Sequence, residues 1–321
     1  MSGRSDDVVV KLDFQHPAFP LLRQTPGWSG RWGRFRFLAN EYVERCDWWV
    51  VCEGVLRDEV AVCPPGRLVL VTWEPPSRII PFAPSFVSQF DRVLSCHTGL
   101  PHAVVEHEQQ GHPWFVGRSY DQLSGSEPPA KSKLLSIITS DKQVTEGHRR
   151  RYELAHLLKE HFGDDADLFG RGIRDFDDKW DVLAPYRYTF AMENDVAADW
   201  LTEKLSDCYL AATFPFYFGC TNVANYVEPS AIEVIDPLNS AATIRRMEEL
   251  MDRASHHEEA LPALLATRER FLNHHQLFPL LARLLQEWDS RPLATTETRR
   301  VRPEFRPPGL LTRASRRLRS R

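Results

Sequence analysis

YRYTFAMENDVAADWLTEKLSDCYLAATFPFYFGCTNVANYVEPSAIEVID, residues 186–236, is the stretch on which the reading of this chain turns. Residues 188–192 form a short, continuous apolar and aromatic run, the pattern of a strand buried on both faces of a parallel sheet. The run stops at Glu193 and Asn194, two polar residues at the carboxyl end of that strand, the edge along which open α/β sheets bind ligands. A helix is expected over about 201–212, where Leu201, Leu205, Cys208 and Ala212 keep roughly helical spacing. Residues 214–218 read as a second buried strand closed by Gly219, and residues 232–235 as a third. Glu203 and Lys204 fall in the first turn of the helix. A lysine is locally unfavourable there, because the helix dipole already places positive charge at that end. An anion docked at the helix start removes that cost, and a neighbouring carboxylate can accept hydrogen bonds from ribose hydroxyls. The pair therefore suits a nucleotide diphosphate. A solvated Glu–Lys pair on an exposed helix is the competing reading.

Phe190, Glu193 and Asn194, then Thr202, Glu203 and Lys204, then Pro215 and Gly219 follow one another in an order and spacing that resembles the donor-binding signature of glycosyltransferase family 10, the α-1,3/4-fucosyltransferases. The resemblance extends upstream through SIITSDKQVTEGHRRRYELAHLLKEHFGDDADLFGRG and DDKWDVLAPYRY, which look like bacterial members. It is good over roughly 133–255 and weak over the first 130 residues. Trp200 departs from the pattern, since many members carry Tyr there; its ring can still stack, but a phenol contact is lost.

At 321 residues the chain is long enough for two domains. Its 42% hydrophobic and 26% charged residues are ordinary for a water-soluble globular protein. No apolar run approaches the roughly 20 residues of a membrane-spanning helix, and MSGRSDDVVV has no basic segment followed by an apolar one, so no secretory signal is expected. The six cysteines form no C-x-x-C pair, and Cys208 and Cys220 lie within apolar runs; a reducing, cytoplasmic setting is the simplest reading.

In chain order, residues 8–12, 48–52 (WWVVC), 68–72 (LVLVT) and 92–95 read as strands of a first α/β domain, with helices expected near 35–46 and 85–90. SGSEPPAKSK, at about 124–133, is the best linker. A second domain then begins with a strand at 134–139, a polar loop, an amphipathic helix at 149–162 and a strand at 166–170, and ends in a helix over roughly 241–255. Repeated strand–loop–helix order argues for doubly wound parallel sheets. The expected organisation is an α/β protein with an acceptor-binding domain at 1–130, a nucleotide-sugar-binding Rossmann-like domain plus helices at 131–298, and a basic tail at 299–321. That the two domains face each other across a cleft in the GT-B manner is implied by the resemblance. The tail carries nine Arg and one Glu, a net of +8, against −12 for the remainder of a chain whose total is −4. Such a segregated basic segment suits an anionic membrane surface, at about 1 kcal/mol per arginine, so a peripheral place on the inner membrane is one expectation. A solvated tail is the other. No nucleic-acid partner is expected.

The resemblance implies roles for particular residues. Lys204 would stabilise the diphosphate as it leaves, where loss of one such contact typically costs about 10²–10³ in rate. Arg151 would add a second cation from the first helix of the domain, with Arg149 or Arg150 as alternatives in the RRR run. Glu203 would hold ribose hydroxyls, Asn194 would orient the donor, Trp200 would stack, and Glu193 would bind donor or cap the next helix. With cations handling the diphosphate, no metal or other cofactor is expected. Transfer with inversion needs a carboxylate to take the proton of the acceptor hydroxyl. Glu74, at the end of the LVLVT strand, resembles the element that carries this base; an exposed turn residue ahead of two prolines is the bland alternative. The expected reaction is transfer of fucose from GDP-fucose to a hydroxyl, such as the 3-OH of a GlcNAc or Glc unit, on a glycan or glycolipid, for example a cell-surface polysaccharide. The same fold acting on a different GDP-sugar, or a non-catalytic nucleotide- or polyanion-binding protein, are the alternatives.

Overall fold

The computed structural model describes residues 7–77, 80–289 and 295–304. Its strands are β1 (Val8–Phe14), β2 (Arg31–Trp32), β3 (Phe35–Ala39), β4 (Trp48–Cys52), β5 (Glu59–Cys63), β6 (Leu68–Val71), β7 (Arg92–Leu94), β8 (Val105–Glu106), β9 (Lys133–Ile138), β10 (Ala166–Phe169), β11 (Tyr186–Met192), β12 (Phe214–Phe218), β13 (Glu233–Val234) and β14 (Glu297–Val301). The helices are α1 (Pro84–Val87), α2 (Tyr120–Leu123), α3 (Glu146–Phe162), α4 (Glu203–Leu210), α5 (Ser240–Met251), α6 (His256–Arg270) and α7 (Leu277–Trp288).

Two parallel sheets organise these elements. The first has the order β2-β3-β1-β4-β6-β7-β8, parallel throughout except for the short β2. The second has the order β10-β9-β11-β12-β13 and is parallel throughout. In each, the chain starts near the middle, winds to one side and then crosses to the other. The points of reversal lie between β1 and β4 and between β9 and β11, and crevices at the carboxyl ends of such strand pairs are where doubly wound folds bind ligands. Trp48, Trp49, Val50, Val51 and Cys52 are all buried, because both faces of β4 are covered. Tyr188, Phe190 and Met192 are buried in β11 for the same reason, within the core of the second domain.

The sequence reading errs at five places. Residues 35–46 were expected to be helical, but Phe35–Ala39 is a strand pairing in parallel with β1. Phe35 and Phe37 are buried and Arg36 is exposed, a period of two that outweighs helix propensity. The helix expected from 149 starts at Glu146, because the Thr145 side chain accepts a hydrogen bond from His148 N and caps it.

The domain boundaries also shift. Residues 115–126, assigned to the domain at 1–130, already lie on the second domain: Phe115 N donates to Asp207 Oδ1 at 3.0 Å and Gly117 N to Asp178 Oδ1 at 2.7 Å. Lys131, in the supposed linker, donates to Ala184 O, Ala211 O and Thr213 Oγ1. Residues 256–298, assigned whole to the second domain, divide. Ala260 and Leu264 of α6 join its core, but Leu277, Phe278, Leu281 and Leu285 of α7 pack against Phe37, Trp48 and Val50 of the first sheet. The basic tail is likewise not a separate unit from 299, since β14 pairs antiparallel with β5 and Arg299 holds Asp91 at 2.9 Å. Residues 305–321, with most of the tail's arginines, lie outside the described residues.

Because α7 completes the first core, Leu281→Ala should destabilise the first domain by about 2–5 kcal/mol. Hydrogen exchange should accelerate in β4 and stay unchanged in β11; the opposite pattern would return α7 to the second domain.

Candidate functional site

The strand end at β11 and the helix start at α4 are joined by one buried carboxylate. Glu193 is 1% exposed. It accepts hydrogen bonds from Thr202 N at 2.9 Å and from Thr202 Oγ1 at 2.8 Å. Thr202 is the N-cap of α4, its side chain accepting from Lys204 N. Gly219 makes room for this: at φ +152°, a Cβ there would lie 2.4 Å from Glu193 Cγ. Gly219 therefore serves close packing against Glu193 as well as ending β12.

Lys204 Nζ lies 3.2 Å from Glu193 Oε2 and 3.3 Å from Glu203 Oε1, and donates to Thr202 Oγ1 at 3.1 Å. Burial disfavours its charged form, but the Glu193 and Glu203 carboxylates outweigh that and hold it above the ordinary lysine value. Burial likewise works to raise Glu203, and the ammonium groups of Lys204 and then Lys179 override it, bringing the carboxyl down to about 2. Lys179 also donates to Glu203 O and pairs with the buried Asp207 at 2.8 Å. The result is a set of ionised groups whose positions are mutually fixed, with Lys204 the cation at the surface of the cleft.

The RRR run resolves into three environments. Arg149 donates to Gln143 O and Arg150 pairs with Glu146, both exposed. Arg151 is 6% exposed, has Glu193 and Glu203 as its nearest opposite charges, and its buried Nε has no protein partner among the described residues. Burial lowers it from the ordinary arginine value. Arg151 stands in the wall behind Lys204; it is not itself among the side chains lining the cavity.

That cavity, about 430 Å³, lies between the two domains. The second domain contributes Asn194, Trp200, Thr202, Glu203 and Lys204. The first contributes Phe14, Gln15, Glu53, Trp73 and Glu74, and His112 and Phe115 close one side. Glu74 is exposed into this space. Its loop is fixed by Glu53, whose Oε2 accepts from Trp73 N at 2.6 Å and Glu74 N at 3.1 Å, and by His97 Nε2 against Glu74 O at 2.9 Å. Ser77 N donates to Asp195 Oδ2 at 2.7 Å across the opening.

Of the sequence-derived site residues, Glu74, Asn194, Trp200, Glu203 and Lys204 thus meet at one cavity, and Arg151 lies directly behind it. Asn194 presents a buried Oδ1 with no protein partner among the described residues, as does Trp200 with its Nε1. Of the two parts open to Glu193, the structure shows the one at the helix start: its carboxylate accepts from Thr202, the N-cap of α4, and pairs with Lys204. Sequence reading passed over Glu53 and His112. Glu53 directly follows the WWVVC run, a signal the sequence does offer; its φ of +65°, rare for a non-glycine residue, is not readable without coordinates. His112 lies between Gly111 and Pro113, in a stretch with no helix or strand pattern. It packs edge-on against Trp200 at 5.1 Å, and burial, with help from Lys204, pushes it down to about 4, so it is neutral near pH 7. Among the described residues no three His, Cys, Asp or Glu side chains cluster as a metal site, and no helix is long and apolar enough to cross a membrane.

Two doubly wound domains closing on a charged crevice define the GT-B class of glycosyltransferase folds. In agreement, the chain is similar to an α-glucosyltransferase solved with UDP and a 13-mer DNA, with a TM-score of 0.53 at 9% identity over 89% of this chain and 100% of that one. It also matches an α1,3-fucosyltransferase solved with GDP-fucose, at TM-score 0.48 and 13% identity over 87% of this chain and 94% of that one. A search among curated proteins found no match in sequence. Residues 128–259 match the family model described as glycosyltransferase family 10 (fucosyltransferase), C-terminal part. That matched stretch is less than half of the chain and lies within the second domain.

The low value of Glu203 gives a pH signature. A carboxyl lower in the folded than in the unfolded chain adds stability above its ordinary value of 4.5 and gives it up as pH falls toward 2. Glu203→Gln should therefore melt below the parent at pH 6, by an amount equivalent to at most about 3 kcal/mol, and the gap should narrow between pH 4.5 and pH 3. A gap independent of pH would mean that Glu203 is not held ionised by Lys204 and Lys179.

Proposed function

We propose that the protein is an inverting glycosyltransferase that moves fucose from GDP-fucose to a hydroxyl of a glycan. The observation that carries this reading is the convergence, on one interdomain cavity, of a Lys204 ammonium fixed by two carboxylates and an exposed acid of the opposite domain, Glu74. The family match over residues 128–259 supports the donor class.

In this reading Lys204 meets the diphosphate and Glu203 the ribose hydroxyls, with Asn194 and Trp200 against the donor and Arg151 reinforcing the positive potential from behind. Glu74 takes the proton of the acceptor hydroxyl. The oxygen then attacks the anomeric carbon from the face opposite the diphosphate, the carbon–oxygen bond to GDP breaks, and the negative charge that accumulates on the leaving group is stabilised by Lys204. That charge is greatest as the bond breaks, so the contact favours the transition state over the ground state. Cationic side chains supply what a divalent ion would otherwise supply to the diphosphate. An acceptor such as the 3-OH of a GlcNAc or Glc unit, on a polysaccharide or glycolipid, would meet the aromatic Phe14 and Trp73 and the carboxylates Glu53 and Glu74 on the first-domain side. A place on an anionic inner-membrane surface would rest on residues 305–321 and their arginines.

Stabilisation by a nucleotide follows RT ln(1 + [L]/Kd), about 2.7 kcal/mol at a hundredfold excess over Kd. GDP should raise the melting temperature and UDP and ADP should not, while GDP-fucose against GDP-mannose distinguishes the proposed donor from another GDP-sugar. Glu74→Ala should retain that stabilisation and lose about 10²–10⁴ in kcat. Full activity in Glu74→Ala would remove the base from this position, and indifference to GDP would remove the donor reading.

A further inference from the structure

Glu74 sits on a loop just past the end of β6, with its side chain exposed. A reacting group in such a place is aimed well only if its backbone is held. In the first sheet β6 lies between β4 and β7, and residues that follow those two strands close on the Glu74 peptide from opposite sides. Glu53, directly after β4, accepts from its N–H, and His97, shortly after β7, meets its carbonyl. Pro75 adds a third restraint, since a residue before proline is confined to extended conformations.

The grip by Glu53 is made from a strained backbone. Its φ is +65°, the left-handed region that a glutamate rarely adopts and that glycine enters freely. The ladder is intact up to this point, with Glu53 N donating to Val71 O at 2.8 Å. The glycine of this turn stands one residue later, where packing requires it: a Cβ on Gly54 would lie 2.5 Å from Gln15 Nε2. Position 53 therefore keeps a glutamate where glycine would relieve the strain. Such outliers persist where the side chain has a task.

The task is visible in the hydrogen bonds. A single carboxylate oxygen, Glu53 Oε2, accepts from two successive amides, Trp73 N at 2.6 Å and Glu74 N at 3.1 Å. Bonds to an ionised acceptor are about twice as strong as neutral ones. The rest of the loop is tied from other directions. Trp73 Nε1 donates to Gln110 O at 3.0 Å, and His97 is itself placed by a bond from its N–H to Ser95 Oγ at 3.0 Å. Ser95 Oγ in turn lies 2.7 Å from Thr72 Oγ1.

We propose that Glu53 is a positioning residue for the transfer: its carboxylate sets the Trp73–Glu74 segment so that Glu74 carries its carboxyl to the acceptor hydroxyl. The inference rests on Glu74 being the base of the reaction proposed above. Glu53 Oε2 is committed to two amides, so Glu53 acts through Glu74. Glycine at position 53 would then relieve the backbone and release the loop together, which separates stability from turnover.

The test reads GDP release from GDP-fucose by the full chain, with N-acetyllactosamine as the acceptor. Glu53→Gly should keep the melting temperature of the parent and its stabilisation by GDP. It should lower kcat about 10- to 100-fold while both KM values stay within about twofold. Glu53→Gln, whose amide oxygen can still accept from both N–H groups, should recover most of that loss. In a Glu74→Ala background, adding Glu53→Gly should change the residual rate by less than about twofold, because the residue through which Glu53 acts is gone. A parent-like kcat in Glu53→Gly, a loss that glutamine does not reverse, or an equal loss with and without Glu74 would each overturn the role of Glu53. A Glu53→Gly chain that no longer folds would overturn it too, by making the glutamate a requirement of the fold. Full activity in Glu74→Ala would instead remove the base, and a parent that releases no GDP would remove the transferase reading.

Discussion

The triangle made by Lys204 with Glu193 and Glu203 is the constraint around which the rest of this protein is arranged. A lysine in the first turn of a helix opposes the helix dipole, and burying an ammonium costs more still unless partners compensate. Two carboxylates and a threonine hydroxyl do so here. The consequence is a cation that can neither rotate away nor lose its proton near neutral pH. Glu193 reaches it only because Gly219 leaves space and because Thr202, as N-cap, brings the helix start onto the end of β11. A pre-positioned charge of this kind needs no rearrangement when negative charge develops on a leaving group, which is where electrostatic catalysis gains most.

Topology brings the partner groups to the same place. Each sheet reverses its winding direction near the middle, and each reversal opens a crevice at the strands' carboxyl ends. Facing these two edges against one another sets Glu74 and Glu53 opposite Lys204 and Asn194 without any long loop. The facing is maintained by Ser77 N of the first domain, which donates to Asp195 Oδ2 of the second, and by α7, which leaves the second domain to complete the core of the first. The chain thus crosses between domains twice, and the first domain is assembled from two segments that flank the second.

Much of this was legible in the sequence, for identifiable reasons. Buried parallel strands are nearly continuous apolar runs, so WWVVC, LVLVT and YTFAM announce themselves, as does the helix start that carries Glu203 and Lys204. What was lost depended on tertiary partners. FRFLA was misread because two aromatics at alternate positions look similar at short range in a helix or a strand. The membership of α7 was hidden because an apolar helix face does not say which core it covers. Lys204 lines the cavity, whereas Glu193, for which donor binding and a place at the next helix start were both open, has its carboxylate engaged by Thr202 and Lys204. No pattern of residue types separates those two outcomes, since only the distances to Thr202 do.

The central claim is that a fixed Lys204 ammonium, backed by Arg151, grips a diphosphate. The most direct measurement is the calorimetric affinity of the protein for GDP against GMP, in the parent and in Lys204→Met. The account predicts that GDP binds the parent at least tenfold more tightly than GMP and that this difference collapses in the variant. Equal affinity of the parent for GDP and GMP, or a difference that survives the loss of Lys204, would contradict it.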